Sequence, residues 1–168
     1  MRAATLVPVE EYLSTSYDPD CEYLDGRIVE RNLGEIPHSR IQRNLIIYLG
    51  TRSKEFEIEV FPEQRMQVSR TRFRVPDVTA VRLPTRDRAI ITSPPHLCIE
   101  ILSKEDTMED MQERIDDYLR FGVENIWIIS PRRQKAYLTT TTGTREVTSG
   151  KLETKDSAIS IPLSAVFE

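Results

Sequence analysis

The 168 residues suffice for one domain with a proper core, and 39% hydrophobic with 30% charged residues fits a globular, soluble chain rather than a disordered one. A net charge of −4 excludes a protein that coats nucleic acid by bulk electrostatics, and the longest apolar stretches are strand-sized, far short of a membrane span. Met1 to Thr5 carries one positive charge with no apolar core behind it, so no signal segment is expected. Cys21 and Cys98 stand far apart without metal-ligand spacing. Cys98 reads as a small core residue, and a reducing, cytoplasmic setting is expected.

In chain order, Pro8 to Leu13 predicts a short helix with proline near its start and acids in its first turn. Asp25-Gly26 between Glu22-Tyr23-Leu24 and Arg27-Ile28-Val29-Glu30 is a hairpin signal. From His38 to about Lys54, Ile41, Leu45, Tyr48 and Leu49 recur at helical spacing. Glu57 to Phe61, Glu63 to Val68 and Phe73 to Arg82 have strand character, with a turn at Ser69 to Arg72. Leu83 to Pro95 is polar, carries prolines and reads as a loop. Leu97 to Leu102 is continuously apolar apart from Glu100, which predicts a central strand.

Thr107 with Asp110 three residues on approximates a capping box. Met111, Ile115, Tyr118 and Leu119 then mark a buried helix face ending at Gly122. Glu124 to Ile129 is a further buried strand stopped by Pro131, with Trp127 in its core, and Lys135 to Glu168 reads as threonine-rich hairpin strands. The strand, helix, strand order from 97 to 129 implies a crossover that sets those two strands parallel in one α/β domain spanning 1–168.

The chemistry concentrates in two acids. Arg74-Val75-Pro76-Asp77-Val78 and Leu97-Cys98-Ile99-Glu100-Ile101 each read as a buried strand carrying one carboxylate. A buried carboxylate costs several kcal/mol unless something pairs with it. Two of them in neighbouring strands call for a shared cation. Mg²⁺ or Mn²⁺ suits carboxylate and carbonyl oxygens, and the Ile101 carbonyl is a reasonable third ligand. Such an ion activates a bound water and offsets charge on a phosphate. Glu63, on the preceding strand, is placed either to hold a metal-bound water or simply to face solvent. Asp77 has the alternative of a turn residue after Pro76.

Two readings stand for the arginine clusters Arg65, Arg70, Arg72, Arg74 and Arg40, Arg43, Arg52, Lys54: local phosphate contacts, or solvated faces of a hairpin and a helix. His38 is either a phosphate contact or proton relay, or a cap or surface histidine, the last being the more ordinary role. His96 reads as a loop residue.

Taken together, Pro76-Asp77, then Ile99-Glu100-Ile101-Leu102-Ser103, then Asp110, Arg114 and Tyr118, then Gly122-Val123-Glu124-Asn125-Ile126-Trp127 resemble the Uma-type restriction endonuclease family, a branch of the PD-(D/E)XK nuclease superfamily. Tyr23 to Glu30 and the helix start at His38 match the same pattern. The resemblance implies a restriction-endonuclease-like core, with a central mixed sheet flanked by helices and additional hairpins. It also implies a Mg²⁺-dependent phosphodiesterase acting on DNA, with a homodimer expected because cutting a duplex needs two sites.

By that resemblance Asp77 matches the metal-binding aspartate and Glu100 the acid of the second motif. The superfamily's lysine two residues later is Leu102 here, and the branch's displaced lysine falls on Arg114. Arginine does not give up its proton, so Arg114 orients water or offsets phosphate charge rather than acting as a base. Its ordinary alternative is an ion pair with Asp110, four residues earlier. Lys104 reads as a surface residue.

Three readings follow. One is a metal-dependent endonuclease using Asp77, Glu100, Arg114 and Glu63. Another is an inactive nucleic-acid-binding module on the same fold, motivated by Arg114 in the lysine position together with the arginine cluster from Arg65 to Arg74. The last is an interaction protein dimerising through the Thr139 to Thr144 hairpin.

Overall fold

The computed structural model describes residues 6–32, 34–87 and 89–168. The expectation for Met1 to Thr5 lies outside them. Helix α1 (Val9–Ser14) follows Pro8 and leads to the hairpin of β1 (Glu22–Leu24) and β2 (Arg27–Val29). Asp25 and Gly26 both take positive φ, 52° and 90°, as a two-residue turn between twisted strands requires. Helix α2 (Ile36–Thr51) and the short α3 (Ser53–Phe56) precede β3 (Ile58–Pro62), β4 (Met66–Ser69) and β5 (Arg72–Arg74). Next come β6 (Val78–Arg82), β7 (Leu97–Ile101), α4 (Met108–Phe121) and β8 (Asn125–Ser130). The chain ends with β9 (Lys135–Thr140), β10 (Gly143–Glu146), β11 (Lys151–Glu153), β12 (Ser160–Pro162) and α5 (Leu163–Phe167).

Six strands form a mixed sheet in the order β10-β9-β8-β7-β6-β3, in which β7 and β8 are parallel and the other neighbours antiparallel. The parallel pair joined through α4 is the expected crossover. Strand alternation divides the core into two layers. Leu97, Ile99 and Ile101 face Ile41, Leu45 and Leu49 of α2, together with Val166 of α5 and the β11–β12 hairpin. Cys98 and Ile126 face Met111, Ile115 and Tyr118 of α4. Trp127 is core, as expected.

A smaller four-stranded sheet, β2-β1-β5-β4, packs Tyr23 and Phe73 against Tyr12 of α1. Helix α4 starts on the capping box of Thr107 and Asp110 and ends at Gly122, whose φ of 107° suits glycine.

Three expectations are corrected. Phe73 to Arg82 is not one strand. Pro76 lacks the N–H a ladder needs, and the chain there leaves the small sheet at Arg74 and enters the large one at Val78. Asp77 therefore sits at a bend between sheets rather than inside a strand. Glu63 is also outside a strand: β3 stops at Pro62, and Glu63 turns the chain with a φ of 48°. Third, the tail ends in a helix, α5, tied to α2 where the Asn44 amide donates to the Val166 carbonyl at 3.0 Å.

Candidate active site

The two acids meet because of register. Val78 pairs with Ile99 across antiparallel β6 and β7, so one step further Asp77 falls opposite Glu100. Both side chains are buried, each with a relative exposure of 5%. They line a cavity of about 20 Å³ at the carboxyl end of β7, together with Glu22, Arg31, His38 and Arg114. Ile101 also lines it.

Asp77 is held on both oxygens. The Arg31 guanidinium donates to Oδ1 at 2.8 Å. Oδ2 accepts the Ile101 N–H at 2.7 Å and lies 3.3 Å from His38 Nε2. Its own carbonyl accepts from the Gln42 amide at 3.0 Å. Burial alone would lower the His38 pKa. The hydrogen bond and charge of Asp77 outweigh it and hold this imidazole above the ordinary histidine value. His38, in the first turn of α2, is thus a site residue, and the cap-or-surface expectation is corrected.

Glu100 shares its strand face with Cys98 and points toward α4, where the Tyr118 hydroxyl donates to Oε1 at 2.5 Å. Burial first and the Asp77 charge second push its pKa up to about 8, against the opposing pull of Arg114 and Tyr118. Glu100 therefore holds its proton more readily than an ordinary carboxylic acid. The physical cause is common to any two carboxylates sharing a dry site: both cannot ionise unless extra positive charge is supplied.

Arg114 does not pair with Asp110, which is engaged at the helix cap with Thr107. It bonds Asp106 at 3.1 Å and stands 3.9 Å from both Glu100 and Glu22. Burial would lower its pKa, yet Glu100, Glu22 and Asp106 hold it charged, above its usual value. Glu63 lies at the rim, with a side chain 44% exposed. It accepts from Gln42 at 3.2 Å and pairs with Arg31 at 3.4 Å. Lys104 is a surface residue paired with Glu35, and His96 is the loop residue expected just before β7, buried beside Arg82.

The arginine cluster before Asp77 is mostly internal wiring. Arg74, 2% exposed, joins Glu22 at 2.6 Å to Asp117 of α4 at 2.7 Å. Arg72 pairs with Asp25, Glu113 and Asp117, and Arg65 with Asp20. These side chains are neither solvated faces nor free for phosphate. Arg70, Arg40 and Arg43 remain exposed.

Sequence reasoning missed Glu22, Arg31 and Asp106. Glu22 had the same signal as Glu100, an acid in a short apolar strand. Arg31 and Asp106 had none, because each lies in a connecting segment and reaches the site only through the fold.

Among the described residues, no group of three or more His, Cys, Asp or Glu side chains is gathered for a metal. The donors at hand are the Asp77 and Glu100 carboxylates, while the Ile101 N–H meets Asp77. Such a pair suits Mg²⁺, which characteristically keeps several waters and binds through one or two carboxylates. The raised pKa of Glu100 marks a place that favours added positive charge, and two carboxylates are donors that Mg²⁺ takes.

This architecture defines a mixed α/β protein of the restriction-endonuclease-like fold. It matches the crystal structure of "a putative nuclease belonging to DUF820" from Anabaena variabilis with a TM-score of 0.81 at 22% identity, over 94% of this chain and 96% of that one. A second match, the cryoEM structure of the DrdV–DNA complex, has a TM-score of 0.39 at 16% identity over 65% of this chain and 12% of that chain, too distant to bear on function. No curated protein matches. The family model Uma2, "Putative restriction endonuclease", matches residues 9–164, and the chain belongs to that family.

Proposed function

We propose that the chain is a metal-dependent DNA endonuclease that hydrolyses phosphodiester bonds, working in the cytoplasm as a homodimer. The observation that carries this reading is the convergence of buried Asp77 and Glu100, from neighbouring elements, on one small cavity, with Arg114 at 3.9 Å from Glu100. The Asp77 and Glu100 carboxylates with the Ile101 carbonyl would hold Mg²⁺ or Mn²⁺. Such an ion, when bound, supplies a Lewis acid for the phosphate and lowers the pKa of a coordinated water.

The protein's own groups do the rest. Arg114, fixed by Asp106, presents a permanent positive charge beside Glu100 and offsets charge developing on phosphate. It cannot accept a proton. His38, held charged further up the pH scale than an ordinary histidine, is a donor toward a phosphate oxygen. Glu63, half-exposed at the rim, is the carboxylate placed to orient an attacking water. The homodimer follows from the need for two sites to cut two strands.

A second reading, a nucleic-acid-binding module without hydrolysis, is favoured by two observations. Arg114 stands where the family resemblance expects lysine, and Arg31 already neutralises Asp77. Plasmid nicking in Mn²⁺, Mg²⁺ or EDTA separates the two. Metal-dependent nicking lost in Asp77→Ala and Glu100→Ala supports the endonuclease. Salt-sensitive DNA binding by a folded protein that never nicks supports the module.

A further inference from the structure

Both oxygens of Asp77 are engaged. Oδ1 takes the Arg31 guanidinium at 2.8 Å, and Oδ2 takes the Ile101 N–H at 2.7 Å with His38 at 3.3 Å. The space between these groups is small, about 20 Å³. A cation that is to take a carboxylate oxygen of Asp77 must displace one of its present partners.

The walls differ in what holds them. Glu22, Glu100 and Arg114 belong to β1, β7 and α4, and His38 belongs to α2. Arg31 comes from the segment between β2 and α2, so its displacement breaks no ladder and no helix. Its contacts here are Asp77 and, at 3.4 Å, the half-exposed Glu63.

Charge points the same way. A divalent ion arriving alone would sit beside Arg31 and Arg114, both of which repel it. A phosphodiester arriving with it brings negative charge and a better partner for a guanidinium, whose planar donors match phosphate in a two-point contact.

Building on the metal-dependent nuclease reading, we propose that Arg31 is a DNA-phosphate ligand parked on Asp77 in the free protein, and that its transfer to phosphate opens the cation site. Cation and DNA then bind cooperatively, each tightening the other by the same factor. The two states differ in stated contacts: Arg31 on Asp77 and Glu63 in one, Arg31 on phosphate with Asp77 on the cation in the other.

The test is calorimetric titration of Mn²⁺ into the full chain, alone and with a saturating DNA duplex carrying hydrolysis-resistant phosphorothioate linkages. For the natural sequence, DNA is expected to lower the Mn²⁺ Kd about tenfold or more, within the usual range of coupling between sites. Arg31→Ala is expected to bind Mn²⁺ without DNA about as tightly as the unmodified protein does with DNA, and to gain little when DNA is added. An unchanged Mn²⁺ Kd in Arg31→Ala, or no response of the unmodified protein to DNA, overturns the proposal.

Should Arg31→Ala fail to fold, Arg31→Lys serves. Its single-point contact with Asp77 is expected to raise DNA-free Mn²⁺ affinity, and an unchanged Kd overturns the proposal. Asp77→Ala separates the two levels. If it loses Mn²⁺ while the Arg31 variants bind like the parent, the proposal alone falls. If it binds Mn²⁺ like the parent, the metal site of the nuclease reading falls as well.

Discussion

Two cavities lie at opposite ends of the same strands and share almost nothing. At the amino end of β8, a cleft of about 670 Å³ runs between the β9–β10 and β11–β12 hairpins, lined by Thr139 to Thr144 with Arg145, Lys151 and Lys155. At the carboxyl end of β7, a space of about 20 Å³ is lined by four acids, two arginines and a histidine. The cleft is open and hydroxyl-rich, and its threonines bond chiefly to each other, as Thr139 with Thr144 and Thr140 with Thr142. The small cavity is knitted by ion pairs from β1, β5, β7, α2 and α4. Size measures how well hairpins pack. Convergent charge that the fold had to bury at a cost is the better pointer to chemistry.

The largest effect expected across this comparison is on activity. Asp77→Ala or Glu100→Ala should lower Mn²⁺-dependent plasmid nicking by on the order of a hundred- to a thousandfold, as loss of a principal electrostatic group does. Thr140→Ala in the cleft should leave the rate unchanged. A comparable loss from Thr140→Ala would reverse the ranking of the two cavities.

Stability should divide the regions next. Arg74→Met strands Glu22 and weakens the tie to Asp117, both buried, and should cost about 3–5 kcal/mol in denaturant unfolding. Thr142→Ala, on an exposed turn, should fall within about 0.5 kcal/mol of the parent.

A pH scan sharpens the contrast further. Glu100 is raised from 4.5 to about 8, so the folded state binds a proton that the unfolded state has released. Its contribution is fully present below pH 4.5 and is lost as pH rises toward 8. The raised pKa of His38 acts in the same direction, its contribution fading as pH rises above the ordinary value of 6.5. Tm should therefore decline across the window from 4.5 to 8, and Glu100→Gln should flatten that decline. A parent slope unchanged in Glu100→Gln would place the proton elsewhere.

The smallest effect expected in the site is from Arg114→Lys. The acids that hold Arg114 charged would do the same to a lysine, so the variant should show no new basic limb in its pH–rate profile. A marked gain in rate would instead show that the chain lacks only a base.

Much of this was legible in the residues. Asp25-Gly26 fixed a hairpin because that pair tolerates the positive φ a tight turn needs. Thr107, Asp110 and Gly122 bounded α4 because caps satisfy orphan backbone groups. The apolar run around Glu100 announced a buried acid, and the order of the motifs, from Tyr23 through Asp77 and Glu100 to Trp127, carried the family. All of these are local signals, written within a few residues.

Tertiary structure alone decided what surrounds the acids. Arg31 is 46 positions from Asp77, and Arg74 is 52 from Glu22. No periodicity encodes such pairings. Arg74 reads in sequence like the exposed arginines near it, and only the meeting of the small sheet with α4 makes it a buried tie. His38 reads as a helix-start residue until register places Asp77 beside it. Backbone preferences act over a turn of chain, so sequence alone determined most of the elements and the acids Asp77 and Glu100. Charge pairing acts through space, so the partners and protonation of those acids had to wait for the fold.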